Sequence, residues 1–315
     1  MKLVIYEGPN GLALGVVEGE WVVDVGEALE WGGLLPKPEA ALRAAVEKLE
    51  AADGPPLDMI GLISRGSEYL AALGVVTAAA SLAAGSEPGL RMPLEKVRLR
   101  APIARPPKIT CVGLNYADHA REQGIEAPET PVFFLKSANT IIGPGDPIRL
   151  PPNTEQPDYE AELAVVIGKG GSRIPLERAW EHVAGYTLLN DVTARDMQHG
   201  DKQWFRGKSC DTFAPTGPWI VTKDEIRDPH RLAISLTLNG ETMQDSNTSN
   251  LIHKIDFLIS YLSQSLSWEP GDLISTGTPP GVGVFRKPPV FIKPGDEITV
   301  RVEGIGALTN PVVGP

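Results

Sequence analysis

The chain has 315 residues, of which 42% are hydrophobic and 22% are charged, so a folded protein with one large or two modest domains is expected. Its formal net charge is −11, from 29 basic and 40 acidic side chains, and the sequence contains no run of lysines or arginines. This balance argues against nucleic acid and against an anionic membrane surface as partners.

The first hundred residues form a compositional unit of short strands followed by helices. The segments KLVIY, LALGVV and WVVDV predict strands, the last two joined as a hairpin at EGE. Apolar residues at helical spacing predict helices over 39–52 and 67–85. The proline-rich segment RAPIARPPK, from 100 to 108, resembles a linker. We therefore predict a small N-terminal domain over 1–104 and a second domain over 105–315.

The second region has short strands with frequent glycine and proline. Pro-Gly-Asp recurs at 144–146, 270–272 and 294–296, and Pro followed by Gly favours a type II turn. The segment LAISLTLNGETMQ alternates in polarity on both sides of Asn239-Gly240, which predicts a hairpin. The fold class that these patterns predict is α+β, mainly β.

One further helix is predicted after this hairpin. Four apolar residues share one side of it at helical spacing: Ile252, Ile255, Ile259 and Leu262.

Neither the cysteines nor the N-terminus indicates export. Cys111 and Cys210 stand apart from any paired-cysteine motif, and we interpret them as ordinary intracellular thiols. The N-terminus becomes polar too early for a signal peptide, and no stretch approaches the roughly 20 apolar residues that span a bilayer. A cytoplasmic protein is therefore predicted.

The segment PDYEAELAVVIGKG predicts a buried strand that is entered by Glu160 and Glu162. Alternate side chains of a strand share a face, so these carboxylates point the same way, about 7 Å apart at the backbone. Asp191 follows the apolar segment GYTLLN and would emerge at a strand end. Three carboxylates on two segments favour Mg²⁺ or Mn²⁺. The alternatives are a solvated acidic strand and an Asp191 that caps a turn or pairs with Arg195 along a helix.

The segment CVGLNYADHAREQG contains a candidate acid–base pair. Asn115 is positioned to cap a short helix that Gly124 would end. On that helix His119 and Glu122 share a face, and a carboxylate that orients a histidine is the usual arrangement for proton abstraction. The alternative is a surface helix on which the two side chains merely touch.

Two glycine-rich segments add candidate substrate contacts. Lys208 lies among aromatic and glycine residues in WFRGKSCDTFAPTGP, where it could stabilise an enolate or be an exposed loop lysine. STGTPPGVG, from Ser275 to Gly283, offers backbone N–H groups and the Thr278 hydroxyl to a carboxylate, or it is a tight structural loop.

In combination and in this order, the motifs GLNYADHARE, FFLKSANTIIGPGDPI, DYEAELAVVIGK, NDVTARDMQ, RGKSCDTFAPTGPWIV, NTSNLIHKIDFLISYLS and EPGDLISTGTPPGVG resemble the catalytic domain of the fumarylacetoacetate hydrolase family. The resemblance covers about 108–315. It implies a mixed β-sandwich roll as catalytic domain, a small N-terminal α/β domain, a homodimer, and Mg²⁺ or Mn²⁺, with Ca²⁺ in some members.

The resemblance also implies roles for individual residues. The metal ligands would be Glu160, Glu162 and Asp191. The water-activating pair would be His119 and Glu122, on a segment that acts as a lid in the family. Lys208 would stabilise an oxyanion or enolate, and Arg195, Gln198 and Thr278 would position the substrate.

The chain departs from the longer eukaryotic fumarylacetoacetases at two places. Asn115 stands near their additional aspartate ligand, and 200–202 replace a tyrosine after the Gln198 motif. These differences favour the bacterial enzymes of the family that act on simpler, small anionic 2-oxo acids.

The leading hypothesis is metal-dependent hydrolysis of a C–C bond in acylpyruvate-type 2,4-dioxo acids through a pyruvate enolate. One alternative is an oxaloacetate decarboxylase or tautomerase, or a 2-hydroxyhepta-2,4-diene-1,7-dioate isomerase and 5-oxopent-3-ene-1,2,5-tricarboxylate decarboxylase. Another is a metal-binding protein without catalytic activity.

Overall fold

The computed structural model describes residues 1–8, 11–35, 38–51, 58–84 and 89–315. The predicted ends of the first two helices, at Ala52 and Gly85, lie outside these ranges. The elements of the N-terminal region are β1 (Lys2–Gly8), β2 (Gly11–Glu18), β3 (Trp21–Asp24), α1 (Val25–Leu34), α2 (Ala40–Glu50), α3 (Met59–Ser64), α4 (Gly66–Ala83), β4 (Arg91–Pro93) and β5 (Leu99–Arg100). The three strands, the hairpin and the two helices predicted here are confirmed.

The second region is richer in strands, as predicted. Its strands are β6 (Ile109–Gly113), β7 (Val132–Lys136), β8 (Ile141–Ile142), β9 (Ile148–Arg149), β10 (Pro157–Asp158), β11 (Ala161–Ile167), β12 (Val183–Asn190), β13 (Thr193–Ala194), β14 (Ala214–Thr222), β15 (Ala233–Leu238), β16 (Glu241–Asn247), β17 (Leu273–Ser275), β18 (Glu297–Val302) and β19 (Gly306–Val313). Its helices are α5 (Ala117–Glu122), α6 (Arg195–Gly200), α7 (Phe205–Lys208) and α8 (Ile255–Ser263). Short 3₁₀ turns occupy Leu94–Lys96, Ala138–Thr140, Leu176–His182, Thr248–Asn250 and Gly283–Phe285.

Two sheets form the body of this region. In the described part of the chain, the larger sheet runs β4-β3-β2-β1-β14-β12-β11-β17-β6-β7, with β5 beside β1 and β8 beside β14. A second sheet runs β16-β15-β18-β19-β9. The N-terminal strand β1 pairs antiparallel with β14, so the sheet is continuous across the two predicted domains. The α+β, sheet-rich fold class is confirmed, and the boundary at 104/105 remains a prediction.

Strand β11 is buried on both faces, which explains its uninterrupted apolar run. Leu163 and Val165 belong to the core between the two sheets, together with residues such as Leu236. Ala164 and Val166 point to the other face, where the N-terminal helices pack. A strand covered on both sides reads as continuous hydrophobic sequence rather than as an alternation.

The Pro-Gly-Asp repeats share one turn geometry. Gly145, Gly271 and Gly295 all have positive φ, of 74°, 89° and 95°. In each turn the aspartate carboxylate accepts a hydrogen bond from the backbone N–H three residues earlier, at 2.9, 2.7 and 2.8 Å. The predicted turns are therefore confirmed, and the aspartate closes each of them.

The hairpin and the last predicted helix are also present, with one correction. Asn239 and Gly240 have φ of 52° and 82°, as a tight two-residue hairpin turn requires. Helix α8 begins at Ile255, so Ile252 lies outside it. Ile252 instead donates its N–H to the Asn115 carbonyl at 2.8 Å.

Helix α4 corrects the expectation that no stretch is apolar enough to cross a membrane. It has 18 residues with a mean hydropathy of 1.3, which meets the length and composition of a membrane span. Leu73, Val76 and Ala80 on this helix are nevertheless fully buried within the core that includes Leu3 and Val16. Core helices meet the same criterion, and α4 packs as one.

Gly185 allows β12 and β14 to approach closely, and its replacement tests this packing. A Cβ atom at Gly185 would lie 2.2 Å from the Val221 carbonyl oxygen, which is backbone and cannot rotate away. We expect Gly185→Ala to lower the free energy of unfolding by about 1–3 kcal/mol, as overpacking does. Urea unfolding measures this change in the free energy of unfolding. The matched control is Gly200→Ala, because a Cβ there meets nothing within 4 Å; equal stabilities of the two variants would contradict the prediction.

Candidate active site and metal centre

The pairing of β11 with β12 assembles the predicted carboxylate cluster. Ala161 pairs with Asn190, and the Asp191 N–H donates to the Glu160 carbonyl at 2.9 Å. Glu160 and Asp191 therefore flank the end of this strand pair, and Glu162 lies one step further in. One ligand oxygen from each of the three buried carboxylates lies within 4.8 Å of the others.

Three buried cations surround two of these carboxylates. Lys208 Nζ lies 2.7 Å from both Glu160 Oε2 and Asp191 Oδ2, and it therefore bridges them. Lys136 Nζ donates to Asp191 Oδ1 at 2.7 Å. Arg195 Nη2 forms an ion pair with Glu160 Oε1 at 2.7 Å. Glu160 and Asp191 are thus each paired with two positively charged protein groups.

The pKa shifts follow from these contacts. Burial alone would raise the pKa of Glu160, but Lys208 and Arg195 outweigh it and lower that pKa. Burial also disfavours the charged form of Lys208, which would lower its pKa. The negative charges of Asp191 and Glu160 outweigh burial, so the pKa of Lys208 is raised. The arrangement keeps Lys208 positively charged although its side chain is only 2% exposed.

Glu162 differs from its two neighbours because it lacks a cationic partner. Among the described residues no lysine, arginine or histidine forms an ion pair with it; its Oε2 accepts hydrogen bonds from Ser275 Oγ and from the Gly277 N–H. Burial, and then the charges of Asp191 and Glu160, raise the pKa of Glu162 well above its ordinary value. A dication beside it would supply the missing positive charge, so the donor set fits Mg²⁺ or Mn²⁺.

The alternatives for Asp191 and Arg195 are not what the structure shows. Helix α6 begins at Arg195, so the two residues do not share a helical turn. Arg195 Nε instead donates to Asp158 Oδ2 at 2.8 Å, and its Nη1 donates to Gln198 Oε1 at 3.1 Å. Asp158 also accepts the N–H groups of Gly283 and Val284 at 2.7 and 3.0 Å. Asp158 therefore fixes the guanidinium of Arg195 towards the carboxylate cluster.

The predicted His119–Glu122 contact is present on α5. His119 Nδ1 lies 2.8 Å from Glu122 Oε2, and Glu122 Oε1 accepts the Gly281 N–H at 3.0 Å. His119 Nε2 lies 2.8 Å from the amide nitrogen of Gln123. The histidine is buried, with 5% exposure, so it is not part of a surface helix. The lid function of this segment stays a prediction.

Asn115 does not cap α5, which corrects that prediction. Tyr116 is the N-cap residue and provides no side-chain hydrogen bond. The Asn115 side chain donates to the His253 and Thr276 carbonyls at 3.1 and 2.8 Å, and it accepts the His253 N–H at 2.8 Å. Tertiary partners with unsatisfied backbone groups outcompete the local cap. Gly124 ends the helix with a φ of 67°, as predicted.

A cavity of about 130 Å³ joins the acid–base pair to the carboxylates. Predicted site residues line it: His119, Glu160, Glu162, Arg195, Gln198, Lys208 and Thr278. The Thr278 hydroxyl accepts a hydrogen bond from the Gln244 amide at 2.8 Å. The rest of the polar and aromatic lining is Gln123, Phe134, His199, Trp204 and Phe285. Asp191 and Glu122 do not line the cavity. Asp191 contacts the lining residue Lys208, and Glu122 contacts the lining residue His119.

Sequence reasoning missed three residues that shape this site. Lys136 has no sequence signal, because a lysine at the end of a strand normally extends into solvent and nothing near it in the sequence indicates a buried ion pair. Asp158 could have been found, because Asp158, Glu160 and Glu162 alternate in the sequence, as side chains on one face of an extended segment do. Gln123 could also have been found, because it lies four residues after His119 on the same helical face.

Comparisons with known proteins agree with this geometry. The model of the fumarylacetoacetate hydrolase C-terminal domain matches residues 108–313. The mitochondrial oxaloacetate tautomerase FAHD2A of Bos taurus is 53% identical over 224 residues, which cover 70% of this chain and 71% of the bovine protein. The oxaloacetate tautomerase YisK of Bacillus subtilis is 43% identical over 275 residues, which cover 86% of this chain and 91% of that protein.

A solved structure extends the similarity over the N-terminal region. Maleylpyruvate hydrolase from Sphingobium sp. SYK-6, in complex with manganese(II) and pyruvate, superposes with a TM-score of 0.73 at 30% identity. The alignment covers 100% of this chain and 99% of that one. Homodimer formation and a cytoplasmic location of this chain remain predictions.

Proposed function

The chain belongs to the fumarylacetoacetate hydrolase family, and we propose that within this family it catalyses the metal-dependent keto–enol tautomerisation of oxaloacetate. One observation carries the proposal: a cavity of only about 130 Å³ is lined both by a histidine base and by the carboxylate–lysine cluster. Oxaloacetate suits that volume, and acetylpyruvate is of nearly the same size, so the volume argues only against longer acylpyruvates. The two tautomerase relatives, 53% and 43% identical, support the same substrate class.

The metal would be held by Glu160, Glu162 and Asp191, with Mg²⁺ or Mn²⁺ the preferred ions and Ca²⁺ a further candidate. A divalent ion at this position supplies Lewis acidity towards the oxygen of a 2-oxo acid and favours its enolate. The raised pKa of Glu162 supports this assignment, because that carboxylate is the one without a protein cation.

The side chains around the cavity are suited to a dianionic substrate. Arg195 and Lys208 are buried cations on its wall, and both are fixed by carboxylates that also line it or lie behind it. Gln198 is oriented by Arg195, so its amide N–H₂ group remains available for a substrate oxygen. Thr278 also lines the cavity and supplies a hydroxyl group there. In a water-poor cavity these fixed charges stabilise a developing enolate strongly.

His119 would transfer the proton. Glu122 accepts only, so it fixes the hydrogen of the neutral ring on Nδ1 and leaves a lone pair on Nε2. In the keto-to-enol direction, the C3–H bond breaks, the proton goes to Nε2, and the electron pair becomes the C2–C3 double bond. The oxygen on C2 becomes an enolate beside Lys208 and takes up a proton from solvent water, while Nε2 of His119 releases the C3 proton to solvent, so the base is restored. The reverse order converts the enol to the keto form, and no atom is gained or lost.

Hydrolysis of a C–C bond is the second candidate, because the same His119–Glu122 pair can activate water. The similarity to a maleylpyruvate hydrolase, at 30% identity, supports it less strongly than the tautomerase relatives support the first. Enol oxaloacetate and acetylpyruvate should be offered in parallel with Mn²⁺ and their kcat/KM values compared. A value for acetylpyruvate equal to or above that for oxaloacetate would overturn the proposal. No turnover of either acid by metal-loaded protein would favour a metal-binding protein without activity.

Replacing the base tests its role directly. We expect His119→Asn to lower kcat for tautomerisation by about 10²–10⁴-fold, the range that general acid–base groups provide. Mn²⁺ affinity should be unchanged, because His119 is not one of the clustered ligands. Stopped-flow absorbance of the enol measures the rate, and calorimetric titration measures the metal. Wild-type kcat in this variant would exclude His119 as the base.

A further inference from the structure

Both ring nitrogens of His119 are occupied, although a general base needs one of them free. Nδ1 contacts Glu122 Oε2 at 2.8 Å, and Nε2 contacts Gln123 Nε2 at 2.8 Å. Glu122 and Gln123 lie three and four residues after His119, so one helical turn brings both to the same ring. Nε2 is the atom that must receive the substrate proton, and Gln123 covers it.

The hydrogen positions follow from the partners. A carboxylate cannot donate, so Nδ1 carries hydrogen and donates to Glu122. The neutral ring then has a lone pair on Nε2, which accepts from the Gln123 amide N–H. If the ring becomes protonated, Nε2 turns into a donor, and rotation of the Gln123 amide by half a turn presents its carbonyl oxygen instead. A primary amide is the side chain that can satisfy both states without carrying charge.

We propose that Gln123 is a positioning residue that caps Nε2 of His119 in the resting cavity and releases it when substrate enters. The cap keeps the base from activating water while the cavity lacks substrate. Gln123 lines the same cavity as the metal-ligand carboxylates, so a bound dianion can displace its amide. The inference rests on the proposed function only in naming His119 as the base.

Other charged groups near the ring do not substitute for this cap. Those that share the cavity wall with His119 are Glu160, Glu162, Arg195, His199 and Lys208. Asp118, on the same helix, accepts the His119 backbone N–H and the side-chain N–H and O–H groups of Asn250 and Ser246. Among the described residues, the side-chain hydrogen bonds of the His119 ring are those to Glu122 and Gln123.

The test measures the Nε2 lone pair without relying on turnover. Diethyl pyrocarbonate acylates unprotonated imidazole nitrogen, and peptide mass mapping follows each histidine separately. In Gln123→Met, which keeps the volume and removes the donor, we expect His119 to react about tenfold faster than in wild type, the value of one hydrogen bond. In Gln123→Glu the new carboxylate stabilises the imidazolium, so His119 should react more slowly than in wild type. His230, which is partly exposed and does not line this cavity, is the internal reference, and its rate should not change.

The ¹⁵N spectrum of the His119 ring gives an independent readout. At one fixed pH, the fraction of His119 rings that carry a proton on Nε2 should be larger in Gln123→Glu than in wild type. Equal His119 acylation in wild type, Gln123→Met and Gln123→Glu would overturn the cap, whatever the tautomerase activity. If Gln123→Met does not fold, Gln123→Ala takes its place. If the wild type has no tautomerase activity but His119 acylation differs among the variants as expected, the proposed function alone is rejected.

Discussion

Replacing Glu162 with Gln is expected to abolish Mn²⁺ binding and catalysis while leaving the fold intact. Glu162 has no cationic partner among the described residues, and its pKa is raised well above the ordinary value by burial and by Asp191 and Glu160. In the metal-free protein the amide therefore replaces a carboxyl group that is already disposed to be neutral. Its oxygen can still accept from Ser275 and Gly277.

The metal-bound state is different, because there the charge of Glu162 is needed. We expect the Kd for Mn²⁺ to rise by more than about 100-fold, beyond the upper end of the effect of groups that only orient ligands. Calorimetric titration measures the affinity. The free energy of unfolding of the metal-free variant, measured in urea, should lie within about 0.5 kcal/mol of the wild-type value. Glu155→Gln removes an exposed carboxylate from the same region and should bind as wild type does. Undiminished Mn²⁺ affinity in Glu162→Gln would refute the metal site.

The three ligands are not equivalent, which the sequence alone would not indicate. Without the structure, loss of Glu160 or Asp191 is expected to spare the fold. Both, however, pair with buried Lys208, and Asp191 also pairs with Lys136. Removing either leaves a buried ammonium short of its counter-charge, which costs about 3–5 kcal/mol. Glu162 is the ligand whose loss separates metal binding from stability.

The sequence predicts the acidic half of the site better than the basic half. Glu160 and Glu162 are two residues apart on one strand, so the alternation of strand side chains is enough to place them together. Asp191 is predicted by its position after an apolar run. Lys136 and Lys208 lie 55 and 17 residues from Asp191 along the chain, and no local period relates them. Their burial is a property of the assembled sheet.

Local sequence patterns predict the structure correctly where the backbone conformation requires particular residues. They fail where tertiary partners compete for the same side chain. The Pro-Gly-Asp turns and the Asn239-Gly240 hairpin need positive φ, so their residues predict them. Helices α1 and α3 were not predicted, although Asp24 and Asp58 cap them by accepting N–H groups of the first turn. Asn115 has the chemistry of a cap, but the backbone groups of His253 and Thr276 take its side chain.

Lys208 should be the most sensitive position for both catalysis and stability. Its ammonium group bridges Glu160 and Asp191 at 2.7 Å and lines the cavity where the enolate forms. We expect Lys208→Met to lower kcat for tautomerisation by about 10²–10³-fold, as loss of one preorganised charge does. In the metal-free protein it should also lower the free energy of unfolding by about 3–5 kcal/mol, because two buried carboxylates lose their shared cation.

Saturating Mn²⁺ should restore the stability of Lys208→Met but not its kcat. A divalent ion that binds only the folded protein stabilises it, and it also compensates the two carboxylates that each lose one of their two cations in this variant. The gain in unfolding temperature on adding saturating Mn²⁺ should therefore be larger in Lys208→Met than in wild type, while kcat stays low. Lys136→Met is the matched control, because among the described residues Lys136 forms an ion pair with Asp191 but not with Glu160, and it does not line the cavity, so its kcat should fall less. An equal Mn²⁺ gain in Lys208→Met and wild type would mean that the ammonium and the metal do not compensate the same carboxylates.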